Sequence, residues 1–129
     1  MSFETDLSDL RSCLTKYHKE GKILLAVLYG SYAHGNPHGR SDIDLGLYLS
    51  PLSKDEEIRM IDEILMSTDR QISILRLDDE DESPFVVQEA LRGKHVLEPD
   101  NETLYRVHHR VLHESEAIRA RRETKGGSE

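Results

Sequence analysis

Between Gly30 and Asp44 the chain reads Gly-Ser-Tyr-Ala-His-Gly-Asn-Pro-His-Gly-Arg-Ser-Asp-Ile-Asp, with residue types suited to phosphate and metal chemistry at both ends. Asp42 and Asp44 are two apart in a stretch that alternates with Ile43, Leu45, Leu47 and Leu49. On a β-strand their carboxylates leave one face about 7 Å apart at the backbone, while Ile43 and Leu45 enter the core. Such a pair suits Mg²⁺, which takes one or two carboxylates and completes its shell with water and substrate phosphate oxygens. Two ions about 4 Å apart can hold the attacking and leaving oxygens of an in-line phosphoryl displacement. At the other end, Gly30 and Ser31 follow an apolar run. Glycine there lets the backbone turn sharply and approach a ligand closely, and the following N–H groups with the Ser31 hydroxyl can cradle an anion. Other phosphate and cation motifs do not fit. No Gly-Lys-Ser/Thr follows Gly30, the spacing of Gly30, Gly35 and Gly39 is not a dinucleotide fingerprint, and Gly46 stands four residues after Asp42 with no calcium-ligand ladder behind it.

The elements that must position these residues are legible from periodicity. Leu7, Leu10, Leu14 and Tyr17 recur at helical spacing, predicting a helix from about Asp6 to Glu20 that stops at Gly21. Lys22 to Tyr29 is a continuous apolar run bounded by glycines and too short for a helix, as expected of a central strand covered on both faces. Residues 30–41 are a loop by composition, and Ile43 to Leu49 form a second strand with one apolar face. Ser53 and Glu56 have the form of a capping box, opening a helix whose buried side is marked by Ile58, Ile61, Ile64 and Leu65. Gln71 to Leu77 reads as a third strand, and the five carboxylates of 78–82 as a solvated loop. Ser83 and Pro84 open a short helix carrying Phe85, Val86, Ala90 and Leu91 that stops at Gly93, and His95 to Leu97 add an edge strand. A last helix begins after Asp100 with Leu104, Val107, Val111 and Ile118 on one stripe. Residues 1–123 form one domain of the α/β (α+β) class, a small mixed sheet with packed helices, and 124–129 a disordered tail.

Composition narrows the function. With 17 Lys and Arg against 25 Asp and Glu, the net charge of −8 has the wrong sign for a broad grip on a nucleic-acid backbone. Aromatic residues at 5% leave little for a base-stacking platform. One cysteine, Cys13, forms no internal disulfide, and Glu4, Asp6 and Asp9 occupy the place of a signal segment. The longest apolar stretch is far short of the roughly 20 residues of a membrane-spanning helix. The expectation is a cytoplasmic protein with no membrane contact.

Taken jointly, Gly30-Ser31, ten intervening residues and Asp42-Ile43-Asp44, set between two apolar strands, resemble the signature of the DNA polymerase β-like nucleotidyltransferase superfamily. The small size and the form Gly-Ser-Tyr-Ala-x-Gly followed by Ser-Asp-Ile-Asp-Leu are similar to the minimal nucleotidyltransferases (MNT), antitoxins of HEPN toxins. The resemblance implies a polymerase β-like fold, ATP as substrate with Mg²⁺, two ions expected, and AMP transfer to a tyrosine hydroxyl of a HEPN RNase. It also implies that Gly30 and Ser31 cradle the β- and γ-phosphates and that Asp42 and Asp44 are the catalytic metal ligands. The superfamily's third carboxylate aligns with Ser73, a poor replacement for a metal ligand or proton acceptor. That departure leaves a second reading open, an antitoxin that neutralises its toxin by direct binding. Transfer to a small molecule is a third reading, for which the chain shows no acceptor domain. His109 and His113 have the i, i+4 spacing of a metal pair but read as a solvated helix face, and Cys13 reads as a small core residue.

Overall fold

The computed structural model describes the backbone of residues 3–30 and 43–127, and side chains within 7–30 and 43–120. The elements run α1 (Phe3–Lys19), β1 (Ile23–Tyr29), β2 (Ile43–Leu49), α2 (Lys54–Leu65), β3 (Ile72–Arg76), α3 (Pro84–Leu91), β4 (Lys94–His95) and α4 (Asn101–Gly127). The strands form one mixed sheet in the order β3-β2-β1-β4, with β1 antiparallel to β2 and β4, and β3 parallel to β2.

Helices cover both faces, which is why β1 is apolar throughout. Ala26 and Leu28 meet Leu10 and Leu14 of α1 and Met60 and Ile64 of α2. Leu25 and Val27 meet Val87, Ala90 and Leu91 of α3 and Val107 and Val111 of α4. In β2, Ile43, Leu45, Leu47 and Leu49 face α1 and α2 as the alternation predicts. The second face of β2 is also covered, however. Gly46 is buried, and a Cβ there would press on Leu77 Cδ2 at 3.3 Å, so the missing side chain makes room for that leucine. Only the Asp44 end carries a charged group on this face.

Local signals explain most boundaries. α1 closes with the Gly21 amide on the His18 carbonyl and the Lys22 amide on the Tyr17 carbonyl, each at 3.0 Å, the two bonds of a Schellman ending. Ser53 Oγ accepts the Glu56 amide at 3.2 Å and caps α2. The buried side of α2 differs from expectation. Met60 and Ile64 are buried, whereas Ile58 is 51% exposed and Leu65 also faces outward. Two acidic residues flanking the buried stripe set this rotation: Glu57 pairs with Arg76 of β3, and Glu63 accepts from Tyr17 and Lys16 of α1.

The 78–82 segment is less uniform than a solvated run. Asp78 takes two bonds from Arg76, Nε to Oδ1 at 2.9 Å and Nη2 to Oδ2 at 2.7 Å. In α3, Pro84 occupies the first turn, but Ser83 makes no side-chain cap bond, and Val87 rather than Val86 faces the core. A Cβ on Gly93 would overlap the Leu28 carbonyl, so glycine alone lets the chain turn from α3 into the edge strand β4. That edge is shorter than expected, two residues, and is extended by one bond from the Val96 amide to Ala26 at 3.0 Å. Asp100 caps α4 by accepting the Thr103 amide at 3.1 Å and its hydroxyl. The helix then continues to Gly127, through most of the stretch expected as a disordered tail from Thr124.

Candidate functional site

Three strand ends converge where β1 leaves the sheet. Tyr29 lies opposite Asp44 in the antiparallel β1–β2 ladder, and Asp44 lies opposite Ser73 in the parallel β2–β3 ladder. The ladder is extended there by the Ile43 amide bonding the Gln71 carbonyl at 2.8 Å. Asp44 and Ser73 therefore sit side by side at one edge of the face that α3 and α4 cover further along.

Gly30 ends β1 with φ of 72°, left-handed backbone that favours glycine. A Cβ on Gly30 would stand 2.5 Å from Asp44 Oδ2 and 3.4 Å from its Cγ. The glycine is thus doubly required, for its backbone angle and because the carboxylate occupies the side-chain volume. Of the four residues singled out by sequence, Gly30 and Asp44 are brought together, while Ser31 and Asp42 lie outside the described residues. Ser73 is exposed and occupies the place beside Asp44 at which a third carboxylate was expected.

Two further residues belong to this corner. The Tyr29 hydroxyl has its pKa pushed up, first by burial and then by the charges of Asp44 and Glu82. Glu82 is half-buried in the segment leading into α3 and therefore bears on the same corner as Asp44. The sequence concealed it within an acidic run. The available signal was its position immediately before the Ser83-Pro84 helix start, which turns the chain back over β1.

This geometry can hold an anion and a cation together. A bare Cα at a left-handed turn admits phosphate close to the backbone, and a strand-borne carboxylate beside it supplies a cation ligand. Among the described residues, no group of three His, Cys, Asp or Glu side chains could hold a metal ion. Their donor set fits a hard cation that takes part of its shell from substrate, as Mg²⁺ does, rather than a closed protein cage. His109 and His113 are on the outer side of α4 with no third ligand among the described residues. Cys13 packs against the α1–α2 core, and its thiol pKa is raised by burial and then by Glu63, which disfavours the reactive thiolate. No helix among the described residues is long and apolar enough to cross a membrane.

Comparison with known proteins bears on the family and the fold that carry this corner. The family model described as Polymerase beta, Nucleotidyltransferase matches residues 11–102, from within α1 to the start of α4. A chain of a toxin–antitoxin crystal structure with AMP-PNP superposes with a TM-score of 0.68 at 17% identity, over 92% of this chain and 96% of that chain. A chain of the toxin–antitoxin MntA-HepT gives 0.63 at 13% identity, over 95% and 97%. A chain of the tri-AMPylated Shewanella oneidensis HEPN toxin in complex with MNT antitoxin gives 0.61 at 15% identity, over 92% and 94%. At these identities the likeness is one of fold. No curated protein matches the sequence.

Proposed function

The chain belongs to the Polymerase beta nucleotidyltransferase family, and on that premise we propose that it transfers AMP from ATP to a tyrosine hydroxyl of a HEPN RNase toxin and thereby acts as its antitoxin. The observation that carries this reading is the Asp44 carboxylate seated over the bare Cα of Gly30. Support comes from two structures of like fold, one a toxin–antitoxin holding AMP-PNP and one a complex whose HEPN toxin is tri-AMPylated.

In this reading Gly30 and Ser31 cradle the β- and γ-phosphates, and Asp42 and Asp44 hold Mg²⁺. When bound, the metal neutralises triphosphate charge and polarises the phosphoryl oxygens. Gly30 contributes close backbone approach, and Asp44 is fixed by its strand so that no reorganisation is needed as charge shifts. The acceptor hydroxyl forms a bond to the α-phosphorus, the bond to the β-phosphate oxygen breaks, and pyrophosphate leaves. The hydroxyl proton must pass to a neighbouring base. Ser73 supplies none, so transfer is expected to be slow.

The position of Ser73 beside Asp44 favours one second reading, neutralisation by contact without transfer. Intact-mass spectrometry of the HEPN toxin after incubation with this protein, ATP and Mg²⁺ separates the two. A gain of one or more AMP masses, absent with the Asp42→Ala/Asp44→Ala variant, supports transfer. An unmodified toxin that is still inhibited in a stable complex, and equally so by the variant, replaces it with neutralisation by contact.

A further inference from the structure

A neutral hydroxyl is a weak nucleophile, and its proton must leave as its new bond forms. Tyr29, Asp44 and Ser73 make a row across β1, β2 and β3, and side chains opposite one another in a sheet rise from the same side. Tyr29 packs with Leu25 and Val27, while Ile72 and Ile74 on either side of Ser73 join the opposite cluster, so the row belongs to the face that α3 and α4 cover. Ser73 is short and exposed. It leaves open the side of Asp44 along which an acceptor can reach a nucleotide seated at Gly30, and its hydroxyl is too weakly basic to take the proton.

α3 brings a carboxylate back to this row. The helix lies over β1 and β2, and Tyr29 spans the distance between its two ends. At the end of α3, a Cβ on Gly93 would stand 3.0 Å from Tyr29 Cβ. At its start, the Tyr29 hydroxyl comes under the charge of Glu82, which immediately precedes Ser83 and Pro84. The five carboxylates of 78–82 are not equivalent. Asp78 is paired with Arg76, and Asp79, Glu80 and Asp81 are exposed. Glu82 is half-buried, and its Oε1 accepts the Ser83 amide at 3.4 Å, which orients the carboxylate at the helix start. Tyr29 is not itself the base, since burial and the charges of Asp44 and Glu82 keep its hydroxyl protonated.

We propose that Glu82 is the proton acceptor of the transfer, delivered to the corner by the start of α3 in place of the carboxylate that Ser73 lacks. This rests on the transfer reading above. The acceptor's O–H proton passes to a Glu82 carboxylate oxygen as the acceptor oxygen bonds the α-phosphorus and the bond to the β-phosphate oxygen breaks. Pyrophosphate departs, and Glu82 then releases the proton to water. A base held at a helix start is less firmly placed than one on a strand, in keeping with slow transfer.

The test is the time course of AMP addition to the purified HEPN toxin, read by intact mass with ATP and Mg²⁺, for the wild type and variants of matched unfolding midpoint. Glu82→Gln is expected to lower the rate at saturating ATP about a hundredfold while the KM for ATP stays within about twofold. Glu80→Gln removes the same charge from an exposed place in the run and should stay within about twofold of the wild type. Two rescues separate proton acceptance from a role in starting the helix. Formate, at matched ionic strength, should raise the rate of Glu82→Ala about tenfold, and Ser73→Asp added to Glu82→Gln should restore transfer by placing a carboxylate beside Asp44. Relief by either supports the proposal. A Glu82→Gln rate within about twofold of the wild type overturns it, as does an equal loss in Glu80→Gln or a loss that neither rescue relieves. If the wild-type protein adds no AMP to the toxin, the transfer reading fails at its own step, before any variant is compared, and the role of Glu82 falls with it.

Discussion

Asp44 lies opposite Tyr29, beside Ser73 and over Gly30, and the carboxylate itself and its last two neighbours each predict a different substitution effect. Asp44→Asn keeps the volume and removes the charge, so AMP transfer followed by intact mass should fall about a thousandfold or more with the unfolding midpoint nearly unchanged. Gly30→Ala forces a methyl onto Oδ2 at a positive φ. It should destabilise the fold by about 1–2 kcal/mol in denaturant titration and slow transfer about a hundredfold by displacing the carboxylate. Ser73→Asp adds a carboxylate at an exposed position and should raise the transfer rate about tenfold or more if proton acceptance limits it; an unchanged rate would place the limit elsewhere. The sequence made this corner readable because glycine and aspartate at such spacing have few joint uses. Tyr29 and Glu82 were unreadable as a pair, because what unites them is the packing of α3 on β1, a contact between distant parts of the chain.

At the scale of elements, periodicity located every helix and strand among the described residues, and errors fell on rotation and on ends. Nothing local to α2 says that Glu57 will find Arg76 and Glu63 will find Tyr17. Four apolar residues at helical spacing therefore could not disclose that Ile58 and Leu65 turn outward. Gly93 was readable as a helix stop but not as the point where α3 presses on the Leu28 carbonyl. Gly93→Ala should cost about 1–3 kcal/mol in denaturant titration by prising β4 from β1. The start of α4 carries a pH dependence. Hydrogen bonds from the Thr103 hydroxyl, and then its amide, hold the Asp100 carboxyl below its ordinary value of 3.8. A depressed carboxyl stabilises the fold above that ordinary value and loses its contribution as pH falls through the lower, folded one. The acid-induced loss of stability, followed by circular dichroism, should accordingly be smaller in Asp100→Asn than in the wild type.

At the scale of the whole molecule, the parallel β2–β3 pair follows from a helix lying between two strands, whereas the β1–β4 pair rests on two residues, Lys94 and His95, at the start of the expected edge strand. That late pairing also sets an order of assembly. The corner of Tyr29, Gly30, Asp44 and Ser73 is specified by strands that leave the ribosome early, yet β1 stays an open edge until Lys94 and His95 arrive. α3, β4 and α4, which close the second face, are made last. A nascent chain therefore owns the corner of Gly30 and Asp44 before it owns either a finished sheet or the helix that closes its second face. A chain of this build completes its sheet and covers the second face only when translation has passed α4, and a ribosome stalled in that helix leaves β1 half-clothed.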